Sequence, residues 1–377
     1  MNSESLFKDK INSLIELYSS GQINESLKAV ELLIIEYPEE SLLRNISGVF
    51  YKANSQLEMA VQSFEKAVEI KSDFADAHYN LGLTFQELDQ LDDAVKSYKE
   101  TLAIQINYAK AHNNLGTIYK EFGQIEQAIQ SYEKALKIQP NDAETHNNLG
   151  NALNEFNKLD KAVLSYKNAL NFQPNYFEVH NNLGNTLNEL GKLEEAITHY
   201  DKAIAINPDY AEAINNLGAT HSALGQIEKA ILCFEKAIAI NPDYAEAYNN
   251  LGVILNDLGE LKQAILCYEK ALKIYPDYDE AYYNIGVTLN KVGEIDEALK
   301  CFNRAVSINP DYPNAHYNLG SIFQDLGQFY FASYKTWKKE KTIISNNSKV
   351  LILKKWEASD IDDIDDWKLS NILFSKN

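Results

Sequence analysis

Apolar positions recur along this chain in two alternating helical rhythms. In Phe177–Tyr210 the first rhythm places His180, Leu183, Gly184 and Leu187 at i, i+3, i+4 and i+7, the spacing of one face of an α-helix. The second places Leu193, Ala196, Ile197, Tyr200, Ala203, Ile204 and Ile206 on a broad apolar face with Glu and Lys between them. Gly191 stands between the two, where a helix C-terminus wants a left-handed residue, and Pro208 with Asp209 stops the second helix and turns the chain. The pattern predicts two short antiparallel helices, each burying one side.

This stretch recurs at one spacing, 34 residues, as from Asn148 to Asn182. Its Asn-Leu-Gly core stands at Asn80, Asn114, Asn148, Asn182, Asn216, Asn250 and Asn318, with Asn-Ile-Gly at Asn284. A period of this size predicts a repeat array in which each helix pair packs on the next. Gly123, Gly225, Gly259, Gly293 and Gly327 repeat the Gly191 position, and Asp89 and Asn157 replace it in two repeats. Asp and Asn are the other residues that best tolerate positive φ. Pro140, Pro174, Pro242, Pro276 and Pro310 repeat Pro208.

The Leu-Gly pair, the aromatics Phe85 and Tyr119 three residues later, the alanines Ala94 to Ala298 at one slot and the aromatics Tyr98 to Phe302 at another make the chain resemble the tetratricopeptide repeat (TPR) family. The family's usual Trp is replaced by His78, His112, His146, His180 and His316, with Ile214, Tyr248 and Tyr282 in the other repeats. The resemblance implies an all-α fold, a right-handed superhelical solenoid of antiparallel helix pairs with the first helices lining a concave groove. The expected organisation is a degenerate N-terminal capping repeat over 1–40, eight tandem repeats over 41–312, a partial last repeat over 313–346 and a C-terminal capping tail over 347–377. All three tryptophans, Trp337, Trp356 and Trp367, fall in this ending, and the run Asp360 to Asp366 lacks the central glycine of a calcium loop.

Composition narrows the function. A net charge of −19 argues against nucleic acid and anionic membranes, which need clustered Lys and Arg. Arg44 and Arg304 are the only arginines, which disfavours bidentate clamps on phosphate or carboxylate. No apolar segment approaches the ~18 residues of a membrane span, and the N-terminus lacks a signal-like run; a cytoplasmic protein is expected. Cys233, Cys267 and Cys301 share one slot that holds Ser63, Ser97, Ser131, Ser165 and His199 elsewhere, the mark of small-residue packing.

Glu178, Asn182, Asn185 and Glu189 lie opposite the buried face of the first helix and form its free stripe. Asn holds the Asn182 slot in eight successive repeats, and Asn113, Asn147, Asn181, Asn215 and Asn249 precede it as a secondary groove row. Asn costs roughly 0.5 kcal/mol or more against Ala inside a helix, so eight such choices need compensation. Two are open: amides that bond neighbouring repeats, or amides that hold a ligand main chain. Repeats about 10 Å apart and an extended chain rising about 3.3 Å per residue would bring one ladder Asn to every third ligand residue. The ladder also resembles the repeat half of the O-linked N-acetylglucosamine transferases, where such residues hold substrate peptides. Acidic side chains flank it, Asp76, Glu144, Glu178, Glu212, Glu246 and Glu280 at one end and Glu87, Glu121, Glu155, Glu189 and Asp257 at the other, with Lys110, Lys120 and Lys291 as exceptions. Neutral or basic extended segments are the expected partners. Tyr108, Tyr176, Tyr210, Tyr244, Tyr278 and Tyr312 form a second ladder at the repeat junctions, suited to packing.

Catalysis finds no constellation. The histidines of the His180 slot recur once per helix pair, too far apart to share a metal, and no Walker loop, GxGxxG element or Cys cluster occurs. The expectation is a non-enzymatic interaction scaffold with no cofactor and no metal. The alternative is the substrate-recognition region of a glycosyltransferase whose catalytic domain is absent or separate. The sequence leaves the oligomeric state open.

Overall fold

The computed structural model describes residues 3–325 and two short antiparallel strands, β1 (Ile344–Ser345) and β2 (Ser348–Lys349). Contacts divide the chain into two compact parts, Met1–Ile206 and Asn207–Asn377. The N-terminal part contains α1 (Ser3–Ser19), α2 (Ile23–Glu36), α3 (Ser41–Ala53), α4 (Leu57–Ile70), α5 (Ala75–Glu87), α6 (Leu91–Ile104), α7 (Ala109–Glu121), α8 (Ile125–Ile138), α9 (Ala143–Glu155), α10 (Leu159–Phe172), α11 (Phe177–Glu189) and α12 (Leu193–Ile206). The C-terminal part contains α13 (Ala211–Ala223), α14 (Ile227–Ile240), α15 (Ala245–Asp257), α16 (Leu261–Ile274), α17 (Asp279–Val292), α18 (Ile295–Ile308) and α19 (Pro313–Asp325). Each part is an all-α stack of helix pairs, packed most closely within a repeat, as in α9 on α10 or α15 on α16. Successive first helices also touch, α3 with α5, α7 with α9, α9 with α11, α13 with α15 and α15 with α17.

Both helix stops are local. After α11, Gly191 turns left-handed at φ +72°. Its N–H donates to Asn188 O at 2.9 Å and that of Lys192 to Leu187 O at 2.9 Å, the paired bonds that satisfy the last carbonyls of a helix. Asp89 (φ +58°) and Asn157 (φ +56°) adopt this conformation as their chemistry predicts, and Ser55 (φ +56°), which fills the same slot one repeat before Asp89, adopts it too. The second helix stops in an extended residue, Gln173 before Pro174 and Asn241 before Pro242. Lys71 and Gln105 stop α4 and α6 in the same way with Ser72 and Ile106 next, so proline reinforces a stop it does not create.

The core of each repeat is a ring lying on a glycine. Tyr98, Tyr132, Tyr166, Tyr200 and Phe64 in the N-terminal part and Phe234, Tyr268 and Phe302 in the C-terminal part are buried. Each lies against the glycine of its own repeat's first helix: a Cβ built on Gly184 would stand 2.5 Å from Cε1 of Tyr200, and one on Gly252 would stand 2.6 Å from Cε1 of Tyr268. Alanines Ala60, Ala94, Ala128, Ala162, Ala196, Ala230, Ala264 and Ala298 are fully buried beside them, which lets the backbones approach. Ile206 departs from the expected apolar face: at the end of α12 it is exposed. The first pair also differs from the rest, since Leu32 and Ile35 are 68% and 77% exposed where Lys66 and Glu69 stand one repeat later. Gly327, Thr336, Lys339, Glu340, the three tryptophans, the run Asp360 to Asp366 and, apart from β2, the tail over 347–377 lie outside the described residues.

Two substitutions test this account. Gly184→Ala drives a methyl into the Tyr200 ring and should cost about 1–3 kcal/mol by overpacking, read as a lower urea midpoint; an unchanged midpoint would mean that the ring yields freely. Ser55→Gly should stabilise by about 0.5–1 kcal/mol, because it relieves a left-handed conformation that L side chains resist, with the same midpoint as readout.

Candidate functional site

The ladder asparagines sit half-buried on the first helices, and in seven of the eight the amide nitrogen donates to the preceding repeat. In the N-terminal part Asn80 Nδ2 donates to Asn45 Oδ1 at 3.0 Å, Asn148 Nδ2 to Asn113 Oδ1 at 3.2 Å and Asn182 Nδ2 to Asn147 Oδ1 at 3.1 Å. In the C-terminal part Asn250 Nδ2 donates to Asn215 Oδ1 at 3.1 Å and Asn284 Nδ2 to Asn249 Oδ1 at 3.0 Å. Each bond joins one repeat to the one before it. Asn114 and Asn318 find a tyrosine in the preceding slot and donate instead to Tyr79 OH at 3.4 Å and Tyr283 OH at 3.3 Å. Asn216 sits half-buried in the equivalent position on α13.

The second row does not line a groove. Asn147, Asn181, Asn215 and Asn249 are buried, the last three completely, and Asn113 is half-buried. This corrects the sequence reading, and the reason is geometric: one residue before the ladder, 100° around the helix, is already under the neighbouring repeat. Asn45 is buried and belongs to this row as the acceptor for Asn80. The Asn-Asn doublet is the signal that could have identified these pairs, since the acceptor stands one residue before the preceding ladder position.

Between α9 and α11 the ladder opens into a shallow cleft of about 280 Å³, lined by Asn151, Asn154, Glu155, Tyr166, Asn182, Asn185 and Glu189. Asn182, Asn185 and Glu189 were read on the stripe; Asn151, Asn154 and Tyr166 were not. Tyr166 crosses its glycine and donates its hydroxyl to Asn151 Oδ1 at 2.7 Å, an oxygen that also accepts from Asn182 Nδ2 at 3.2 Å. Asn154 Nδ2 donates to Thr186 Oγ1 at 2.8 Å and Glu189 Oε2 at 3.5 Å. Asn154, Tyr166 and Asn182 thus turn their donors inward, while the carboxylates of Glu155 and Glu189 remain exposed. The nearest cation to Glu155 is Lys120 Nζ at 3.9 Å, a looser pair than Lys52 with Glu87 at 2.9 Å.

The acidic positions at the other end of the first helices meet the junction tyrosines. Tyr108 OH donates to Asp76 Oδ1 at 3.0 Å and Tyr210 OH to Glu212 Oε2 at 3.2 Å. Burial raises the phenols of Tyr108, Tyr176, Tyr244, Tyr278 and Tyr312 above their ordinary range, and nearby carboxylates push the same way. Burial also lifts the carboxyl of Glu280, opposed by the side chain of Asn249 and reinforced by Asp279 and Glu246. These tyrosines remain neutral hydrogen-bonding groups.

The histidines of the His180 slot are structural. Ring Nε2 of His112, His146 and His180 lies 3.1, 2.9 and 3.1 Å from the carbonyls of Ile106, Pro140 and Pro174, and that of His316 lies 2.9 Å from Pro310 O. A carbonyl accepts only, so each ring donates and ties its helix to the turn before it. Burial holds the His112 and His180 imidazoles below their ordinary range. None of the three cysteines forms a disulfide; burial pushes the Cys301 thiol up to about 11 and raises that of Cys267, so both are protonated packing groups. Among the described residues no three His, Cys, Asp or Glu converge as metal ligands, and no helix is long and apolar enough to cross a membrane.

Models of the TPR repeat match residues 50–89, 116–155, 150–190, 184–225, 220–259 and 288–327. Other tetratricopeptide repeat models match 75–105, 97–130, 245–278 and 267–300. No curated protein matches the chain. Among solved structures, MamA is 33% identical over 43% of this chain and 95% of its own, with a TM-score of 0.39. YrrB, a TPR protein with an unusual peptide-binding site, is 25% identical over 50% of this chain and 96% of its own, with a TM-score of 0.39. PilF of Pseudomonas aeruginosa is 21% identical over 56% of this chain and 97% of its own, with a TM-score of 0.50, and shares the fold.

The buried row makes a stability prediction. Asn147→Ala removes the acceptor that Asn182 uses and should cost about 1–3 kcal/mol, the usual effect of stranding a partly buried polar group. A double-mutant cycle of Asn147→Ala with Asn182→Ala, followed by urea unfolding, should show a coupling of about 0.5 kcal/mol or more; additive effects would mean that the bond contributes nothing.

Proposed function

The chain belongs to the tetratricopeptide repeat family, and we propose that it is a non-catalytic protein-interaction scaffold whose first helices hold an extended, neutral or basic polypeptide segment along the ladder Asn80, Asn114, Asn148, Asn182, Asn216, Asn250, Asn284 and Asn318. The observation that carries this reading is the pair of exposed carboxylates, Glu155 and Glu189, on the cleft between α9 and α11. Tyr166, Asn154 and Asn182 spend their hydrogens within the protein and Asn151 and Asn185 accept from Tyr166 and Tyr200, so the charge that the cleft offers a visitor is negative. Such a surface complements main-chain N–H groups and the cationic heads of Lys and Arg, and it repels acidic chains. Engagement of the ladder nitrogens with the preceding repeat supports the reading further, because oxygens fixed in place lose little entropy when a ligand arrives. The cleft contains no nucleophile with an adjacent base, which favours holding over chemistry.

The test is fluorescence anisotropy with labelled extended peptides that differ only in charge. A Lys- or Arg-bearing peptide should bind and a Glu-bearing one should not. Glu155→Gln with Glu189→Gln should weaken the basic peptide by about three- to tenfold, as expected from two partly exposed charge pairs. Equal binding of the acidic peptide, or a double variant that binds as the native protein does, would overturn the proposal.

A further inference from the structure

One repeat carries an arrangement that the others lack. His180 on α11 and His199 on α12 face each other with Nδ1 to Nδ1 at 3.0 Å and ring centroids 5.3 Å apart. His180 Nε2 lies 3.1 Å from Pro174 O and must donate there, so in the neutral ring its Nδ1 is an acceptor. The 3.0 Å contact then requires His199 to donate Nδ1–H. The pair is a directed chain, His199 to His180 to Pro174, that holds one proton between the rings. In the four preceding repeats this slot is Ser63, Ser97, Ser131 and Ser165. Ser165 turns its hydroxyl to Lys161 O at 3.1 Å, and the buried Nδ1 of His146 in that repeat has no hydrogen-bond partner. His199 therefore supplies a contact between first and second helix that serine does not make.

We propose that this pair makes the packing of α12 on α11, and with it the setting of Asn182 and Asn185 on α11, dependent on protonation. Protonating His180 at Nδ1 puts two N–H groups head to head. Protonating His199 at Nε2 places a cation in a half-buried position where the charges that reach it are Lys202 on α12 and Lys167 on α10, both positive, besides His180 itself. Burial and these neighbours hold the His199 imidazole down to about 4, against an ordinary 6.5. A histidine with a depressed native pKa leaves the fold at full stability above the unfolded value. Stability is then lost as pH falls from 6.5 toward 4, because only the unfolded chain takes up the proton there.

The experiment compares urea unfolding of the full native chain and of His199→Ser across this pH range. Serine at 199 is the residue found in the four preceding repeats, so the variant is expected to fold. The native midpoint should fall more steeply between pH 6.5 and 4 than that of the variant. Independently, the imidazole C2–H resonance of His199 in the native chain, identified by its absence from the variant spectrum or from that of His199→Gln, should titrate well below 6.5. Parallel midpoint profiles, or a His199 resonance that titrates near 6.5, would overturn the proposal.

Discussion

The rest of the structure depends on the contact between an aromatic ring and a glycine inside each helix pair from α3–α4 to α17–α18. The ring cannot be accommodated by any side chain at the glycine position, since a single Cβ at Gly184 would already stand 2.5 Å from Tyr200. Alanines at the Ala196 and Ala203 slots complete the contact by removing bulk on the second helix. Burial of a ring and close backbone approach therefore come from one pairing of residue types, repeated from Gly48 with Phe64 to Gly286 with Phe302. A solenoid without a central core needs such a rule, because every repeat must be stable against its neighbours alone.

The same ring connects packing to the candidate site. Where it is tyrosine its hydroxyl passes the glycine and reaches the ladder side: Tyr166 to Asn151 and Tyr200 to Asn185, both at 2.7 Å, and Tyr132 to Thr117 at 3.3 Å. Where it is Phe64, Phe234 or Phe302, the residue in the Asn151 slot is Val49, Ala219 or Val287. Polar and apolar choices on two helices thus match, and the match decides where the polar network extends into the core. Tyr98 beside Leu83 and Tyr268 beside Val253 depart from this pairing; Tyr98 turns its hydroxyl to Gln86 at 3.0 Å, which keeps a buried phenol satisfied by another route.

Fold and site were legible in the sequence to different degrees. Helix bounds, glycine turns and buried alanines follow from period and residue type, and Asp89 and Asn157 obeyed the conformational rule that named them. The acidic flanks and the ladder were legible as a stripe because helical geometry places every fourth residue on one face. What escaped is what lies between repeats. The buried state of Asn147, Asn181, Asn215 and Asn249 depends on how far the next helix overlaps, and a helical wheel holds no neighbour. The histidine slot escaped for the same reason: its hydrogen bond runs to a turn carbonyl six residues back, as from His180 to Pro174, and only the fold closes that distance. Ser55 was missed because serine carries no strong left-handed signal.

These placements resolve the unfavourable choice of asparagine in mid-helix. A residue that costs roughly 0.5 kcal/mol or more against alanine is offset by a partly buried amide bond of about 1 kcal/mol. The ladder thus needs no ligand to account for its occurrence. The argument for a site rests instead on the charge left over. In the cleft the bonds of Asn182 and Asn154 spend their donors, and Asn151 and Asn185 spend acceptors on Tyr166 and Tyr200. The flanking carboxylates of Glu155 and Glu189 are not neutralised by this network, and their exposure leaves them available to solvent. The force that joins one repeat to the next thereby also sets the chemistry of the face it leaves open.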